Sequence, residues 1–185
     1  MTCKFIIVEG IDKCGKSTFI TKLMKALPNT ILIKGGTITK PIDNSIVEKN
    51  KVLSFYENIF SISQLPYFDD KTIITDRFYP SQIVYSWKRK HDDFEDDWFI
   101  NFENKLLDAF KDKIYFIYCI TDPIVIARRF IADKEEHLEV DDIKDIISRY
   151  NKFYGRTKLS KTKIITSEES SVDSLISDLK GGLIV

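Results

Sequence analysis

The feature that most constrains the fold of this chain is segment 10–18, which carries the pattern G-x-x-x-x-G-K-[ST]. An apolar, β-branched run, Phe5–Val8, precedes it, and a helical pattern, Ser17–Leu27, follows it. A strand, a glycine-containing turn and a helix N-terminus together form a cradle for phosphate groups. The glycines let backbone N–H groups point inward, Lys16 can reach β- and γ-phosphates, and Ser17 can hold Mg²⁺. We therefore expect a nucleoside triphosphate to bind here.

Length and composition fit one globular domain spanning residues 1–185, because 43% of the 185 residues are apolar. The 28 basic and 28 acidic residues balance, so no global basic field recruits nucleic acid, although a local patch stays open. No apolar run has the length of a membrane span, and the N-terminus lacks a signal pattern. Three scattered cysteines do not make a disulfide framework or a zinc site. These features favour a cytoplasmic protein.

Strand and helix patterns alternate along the chain, which predicts an α/β fold with a parallel sheet wrapped by helices. The strand candidates are Phe5–Val8, Thr30–Ile33, Thr72–Thr75, Ile114–Ile120 and Lys163–Ile165. The helix candidates are Ser17–Leu27, Ile42–Leu65, Ser81–Lys90, Asp97–Phe110, Pro123–Ala132, Asp141–Tyr154 and Val172–Leu179. Ligands of such sheets bind at the carboxyl ends of the strands. Three polar clusters follow those ends, at residues 9–18, 34–37 and 76–81.

The third strand ends in Asp76 and Arg77, a pair that suits phosphate chemistry. Asp76 can bind the hydration shell of Mg²⁺, and the planar guanidinium of Arg77 can bind a phosphate. A surface ion pair, or Asp76 capping the next helix, is the structural alternative. The nearby phosphate cradle favours the functional interpretation.

Two adjacent arginines, Arg128 and Arg129, lie at the start of a charged segment. They could clamp the transferring phosphates or stack on a base, and a segment of about 129–141 could close as a lid that excludes water. The alternative is a solvated helix end whose arginines complement the C-terminal dipole.

Two motifs make the chain resemble a thymidylate kinase. The family's phosphate loop, close to F-I-x-x-E-G-x-D-x-x-G-K-S-T, matches residues 5–18, and its D-R-[YH]-x-x-S-x-x-[AV]-[YF] resembles residues 76–85. A third family motif, F-[SA]-A-x-R, resembles residues 60–64, with Gln64 in place of the arginine. The resemblance extends to about Tyr154, and it implies a three-layer P-loop kinase fold with a five-stranded parallel sheet and a short lid.

The resemblance also implies roles for individual residues. It assigns ATP to the loop and the lid arginines: Gly10, Ile11, Asp12, Lys13, Cys14, Gly15, Lys16, Ser17, Thr18, Arg128 and Arg129. It assigns the acceptor nucleotide to Asp12, Lys34, Phe60, Gln64, Arg77, Ser81 and Tyr85. Mg²⁺ would be held by Ser17 and Asp76, and catalysis would depend on Lys16, Arg77, Asp12 and Arg129. The family forms dimers, so a homodimer is implied as well.

The acceptor half departs from the family pattern. Lys34-Gly35-Gly36 stands where the family has an arginine that binds the substrate phosphate, and Lys34 could replace it as a point charge. A nucleoside kinase would instead benefit from a carboxylate base after this strand, and none is present. We therefore favour transfer from ATP to a deoxynucleoside monophosphate, most simply dTMP to dTDP. A deoxynucleoside kinase is the runner-up, followed by a polynucleotide kinase or a nucleotide-binding switch, which would lack a phosphoryl acceptor.

Overall fold

Five parallel strands form one sheet in the order β2-β3-β1-β4-β5, as the alternating pattern predicts. The computed structural model describes residues 4–35, 46–86, 97–133 and 138–181. The strands are β1 (Lys4–Glu9), β2 (Thr30–Lys34), β3 (Thr72–Asp76), β4 (Ile114–Ile120) and β5 (Ser160–Ile165). The helices are α1 (Lys16–Ala26), α2 (Ile46–Ser63), α3 (Tyr79–Val84), α4 (Asp97–Phe110), α5 (Pro123–Ala132), α6 (Val140–Arg156) and α7 (Glu169–Gly181).

The sheet is covered on both faces, which completes the three-layer architecture. The inner strands β1, β3 and β4 are buried along almost their whole length, because continuous apolar runs suit strands packed between two layers of helices. Helices α1 and α7 contact each other, and α6 contacts both α3 and α5. Within the described ranges, no helix has both the length and the apolar character that crossing a membrane requires.

An aromatic cluster fixes α3 against the sheet. The ring of Phe78 lies 4.9 Å from Tyr56, 5.5 Å from Phe5 and 5.9 Å from Phe102, measured between centroids. Aromatic pairs at such separations add to the free energy of burial. The cluster therefore holds the segment after β3, where the predicted phosphate-binding residues lie.

Most predicted element boundaries are confirmed to within a few residues, and the exceptions are instructive. Helix α3 begins at Tyr79 and ends at Val84, so the predicted helix Ser81–Lys90 starts too late; its residues 87–90 lie outside the described ranges. Strand β5 begins three residues before its predicted start. Residues 42–45 of the second predicted helix also lie outside the described ranges.

Candidate functional site

The predicted phosphate cradle is present between β1 and α1. Gly10 and Gly15 have φ values of 147° and 94°, and a Cβ on Gly15 would lie 2.8 Å from the Thr166 hydroxyl oxygen. This close approach lets the hydroxyls of Thr166 and Thr121 donate hydrogen bonds to the carbonyl of Cys14, the latter at 2.9 Å. The segments that follow β4 and β5 therefore hold the phosphate loop in place through Thr121 and Thr166.

Within the part of the chain that the structure describes, the first turn of α1 has the features of an anion-binding helix end. Gly15 caps the helix with no side-chain hydrogen bond, and no acidic residue lies in its first turn. The ammonium of Lys16 is buried and folds back over the loop, 3.4 Å from the carbonyl oxygen of Ile11 and 3.9 Å from Asp12 Oδ1. The exposed Ser17 and its neighbour Thr18 follow on the helix. This donor set fits a triphosphate with Mg²⁺ at Ser17.

Glu9, at the end of β1, caps α3 from a different part of the chain. Its Oε1 accepts hydrogen bonds from the N–H groups of Phe78 (2.7 Å) and Ser81 (3.2 Å). Its Oε2 accepts from the hydroxyls of Ser81 (2.6 Å) and Tyr150 (3.0 Å). Burial raises the pKa of the Glu9 carboxyl, against the opposing effect of the Arg77 charge and these hydrogen bonds. The alternative that Asp76 caps α3 is therefore wrong.

Arg77 contacts the phosphate loop through Asp12, and its backbone has a conformation that is uncommon outside glycine. Its φ is 69°, and its N–H donates to the carbonyl of Val8 at 3.0 Å. Only 8% of the residue is exposed. The alternative that Asp76 and Arg77 form a surface ion pair is therefore wrong. Nη1 donates to the Ser81 hydroxyl at 3.0 Å, and Nη2 donates to Asp12 Oδ1 at 2.6 Å. The guanidinium also lies 5.3 Å from the ring centroid of Tyr85.

The carboxylate of Asp12 faces Arg77 from the phosphate loop. Burial opposes its ionisation, but the charges of Arg77 and Lys16 outweigh that effect and lower the pKa of Asp12. Its side chain is 56% exposed, so the ion pair contributes little to stability. The ion pair joins the phosphate loop to the end of β3. The predicted ATP site and the predicted site of the acceptor nucleotide therefore meet at this pair.

The ends of β2 and β3 lie side by side. Lys34 pairs in register with Asp76, and the N–H of Gly35 donates to the Asp76 carbonyl at 2.9 Å. A Cβ on Gly35 would lie 2.5 Å from the carbonyl oxygen of Arg77, so glycine is required for this approach. The exposed Lys34 is thereby brought to the same edge as Arg77, and residues 36–37 of this cluster lie outside the described ranges.

The predicted base-binding residues lie at the end of α2. Phe60 is partly buried and makes an edge contact with Phe102 at 6.2 Å between centroids. Gln64 follows the helix, and its side-chain amide donates to the Ser63 hydroxyl at 3.2 Å. Contact of these two side chains with a base stays a prediction.

The lid arginines are helical. Arg128 and Arg129 both lie within α5, so the segment between the helices begins only after Ala132; residues 134–137 of the predicted lid are outside the described ranges. Nη1 of Arg129 donates to the carbonyl of Lys13 at 2.7 Å. Lys13 in turn pairs with Asp133 at 2.6 Å. Both arginines are exposed, and Arg129 contacts the phosphate loop.

Two residues at the centre of the site, Glu9 and Tyr150, have no role predicted from the sequence. Glu9 stands inside the phosphate-loop motif, so its place at a strand end was a usable signal. Tyr150 lies on α6, 141 positions away in sequence from the carboxylate that it contacts, and no local pattern marks it.

No family model matches the sequence. The SPbeta prophage-derived uncharacterized protein YorR of Bacillus subtilis strain 168 is 30% identical over 177 residues, which cover 94% of this chain and 95% of that protein. The thymidylate kinase of Prochlorococcus marinus strain MIT 9515 is 25% identical over 211 aligned positions, covering all of this chain and 98% of that enzyme.

Solved structures of nucleotide-binding proteins are also similar to this chain. The structure of YorR in complex with phosphorylated GDP has a TM-score of 0.71 and 27% identity, covering 96% of this chain and 94% of that one. The M. mycoides deoxyadenosine kinase with products dCMP and dCDP has a TM-score of 0.63 at 16% identity, which shows the same fold; it covers 96% of this chain and 99% of that one. The chain belongs to the same family as YorR, a family of P-loop nucleotide kinases to which thymidylate kinases are similar.

Proposed function

We propose that the protein transfers a phosphoryl group from ATP to the 5′-phosphate of a deoxynucleoside monophosphate, with dTMP as the preferred acceptor. One observation carries the choice of an anionic acceptor, namely the buried guanidinium of Arg77 at the edge of the phosphate cradle. Asp12 neutralises this charge on one side, and the guanidinium N–H groups that bond to none of the described residues suit a phosphate, because a planar fork of donors matches phosphate oxygens.

The number of N–H groups on the Arg77 guanidinium supports an anionic substrate. A guanidinium has five N–H groups, and three of those of Arg77 bond to Ser81, Tyr150 and Asp12. The Tyr85 hydroxyl lies near enough to interact with a fourth. At least one N–H group then has no hydrogen-bond partner among the described residues. That group would donate a hydrogen bond to the phosphate of the substrate monophosphate. Lys34, at the same edge, would add a second positive charge.

The carboxylates of the site do not suit a nucleoside kinase, which must remove a proton from a 5′-hydroxyl. Glu9 is fully buried, and both its oxygens already accept two hydrogen bonds each. Asp12 is paired with Arg77, and its lowered pKa makes it a weak base. A phosphate nucleophile is already anionic, so neither carboxylate is needed as a base.

The remaining roles follow from position. ATP would lie on the loop, where Lys16 and the N–H groups of α1 balance the charge that builds up on its phosphates. Ser17 and Asp76 would hold Mg²⁺, which would further neutralise that charge when bound. Asp12 would accept a hydrogen bond from the sugar 3′-hydroxyl, and Arg129 would close over the donor.

On the acceptor side, Phe60 would stack on thymine and Gln64 would bond to its edge. The solved complex of YorR with phosphorylated GDP supports nucleotide binding by this fold. Family membership also leads us to expect a homodimer in the cytoplasm. Gel filtration at several protein concentrations would test the oligomeric state.

The test is ATP-dependent ADP release against a panel of the deoxynucleosides and their 5′-monophosphates. We expect release that requires a monophosphate, is fastest with dTMP, and is lost in Lys16→Ala. Faster reaction with a nucleoside would establish the deoxynucleoside kinase instead. ADP release without any acceptor would indicate a nucleotide-binding switch, and reaction only with an oligonucleotide end would indicate a polynucleotide kinase.

A further inference from the structure

The hydroxyl of Tyr150 is a buried polar group at the centre of the site with no role in the mechanism above. Tyr150 lies on the buried face of α6, whose other members are Ile143, Ile146 and Phe153. It is fully buried, and its ring stacks on Tyr118 at 5.2 Å between centroids, with an interplanar angle of 23°. A phenylalanine would fill the same space, so packing alone does not account for the hydroxyl.

The hydroxyl contacts four groups at the junction of the loop, α3 and Arg77. It lies 3.0 Å from Glu9 Oε2, 3.0 Å from Ser81 Oγ, 3.4 Å from Arg77 Nη1 and 3.5 Å from the carbonyl oxygen of Gly10. A helix from the far end of the chain thus contacts the donor loop and the acceptor arginine at a single point.

The direction of these hydrogen bonds follows from proton counting. The hydroxyls of Ser81 and Tyr150 both donate to Oε2 of Glu9, which accepts them as a carboxyl oxygen. Their lone pairs are then left for the two hydrogens of Arg77 Nη1. Burial first, and then the charge of Glu9, raise the pKa of the Tyr150 phenol well above its ordinary value, so it keeps the proton that it donates.

We propose that Tyr150 is a positioning residue for the acceptor phosphate: together with Ser81 it holds Nη1 of Arg77, so that the remaining N–H groups of the guanidinium face the acceptor. Asp12 holds only Nη2. Without the tyrosine hydroxyl, the long arginine side chain regains rotamer freedom that binding must then remove. The inference rests on the proposed role of Arg77 in monophosphate binding.

The test is the substitution Tyr150→Phe, with Tyr154→Phe as the matched control. Tyr154 lies one turn later on α6, and its hydroxyl donates to the carbonyl of Lys161 on β5 at 3.4 Å, away from Arg77. We expect Tyr150→Phe to raise the KM for dTMP about 5- to 20-fold, as fits the loss of one hydrogen bond to a charged group. The KM for ATP should stay near that of the parent protein, as should every kinetic constant of Tyr154→Phe.

A purely structural role would give a different pattern. An equal rise in the KM for ATP and for dTMP, or a KM for dTMP equal to that of the parent, would overturn the proposal. Calorimetric dTMP affinities of the parent, Tyr150→Phe, Arg77→Gln and the double variant add a second readout, because a residue that acts through Arg77 has no further effect once Arg77 is gone. Additive losses would also overturn it.

Two controls keep the outcome interpretable. If Tyr150→Phe is not recovered folded, Ser81→Ala removes the other hydroxyl on Nη1 and should show the same acceptor-specific loss. If the parent protein phosphorylates no monophosphate, the proposed function fails, and this inference falls with it. If the parent is active and Tyr150→Phe matches it, only the inference fails.

Discussion

The glycine after β2 offers a sharp test of how the acceptor arginine is placed. Arg77 is held from two sides: its N–H donates to Val8 on β1, and its carbonyl oxygen lies against Gly35. A Cβ on Gly35 would meet that oxygen at 2.5 Å and the carbonyl carbon at 2.9 Å. Both atoms belong to the backbone, so neither can rotate away. We predict that Gly35→Ala displaces Arg77.

The size of the effect follows from the overlap. An ordinary contact begins at 3.4 Å, so the methyl group and the oxygen must separate by about 0.9 Å. Overpacking of this kind costs about 1–3 kcal/mol, which for a chain of this length lowers Tm by roughly 2–10 °C. A shift of nearly 1 Å in a substrate-holding group lowers kcat/KM by about 10- to 100-fold.

Gly155→Ala is the matched control, because an added Cβ there meets nothing within 4 Å and the residue lies in α6. Removing a helical glycine should raise the free energy of unfolding by up to about 1 kcal/mol and leave kinetics unchanged. Thermal melts and dTMP saturation curves of both variants decide the matter. If Gly35→Ala matches the parent in both, the packing of Gly35 on Arg77 does not position the site.

Three further predictions concern the donor side. Lys16→Ala should lose most turnover while keeping the parent's Tm to within a few degrees, since among the described residues Lys16 bonds only within its own loop; comparable turnover would exclude the loop as the donor site. A hydrogen bond with Cys119 lowers the pKa of Cys14 to about 7, so a thiolate forms beneath the cradle as pH rises and repels the triphosphate. The KM for ATP should therefore increase between about pH 6 and about pH 8 in the parent and stay flat in Cys14→Ala, and equal profiles would refute this. Arg129→Ala removes the hydrogen bond to Lys13 and should raise the KM for ATP by about 3- to 10-fold without lowering Tm; an unchanged KM would remove Arg129 from the donor site.

Much of the fold could be predicted because its signals are local. Helices α4 and α5 begin and end where the sequence predicts, since an apolar periodicity marks α4 and Asp122-Pro123 starts α5. The run Ile114–Ile120 likewise gives β4 directly. The phosphate loop could be predicted equally well, because its motif, the strand before it and the helix after it are contiguous in the sequence.

The acceptor half could not be predicted as fully, because it is assembled from distant segments. The start of α3 depends on Glu9, 69 positions away from Phe78, and a reading of neighbouring residues cannot detect such a cap. The site of Arg77 depends likewise on Gly35 and Tyr150, which belong to other elements. Alignment with the family's motifs identified Arg77 but not the residues that hold it.

The central claim is that Arg77 binds the phosphate of the acceptor, and calorimetric titration with dTMP and thymidine tests it most directly. In the parent protein we predict that dTMP binds about 10- to 100-fold more tightly than thymidine, as expected for one or two hydrogen bonds to a charged group. In Arg77→Gln most of this difference should be lost, and the smaller preference that remains is the contribution of Lys34. Equal affinities in the parent, or a preference for dTMP in Arg77→Gln as large as in the parent, would contradict the account.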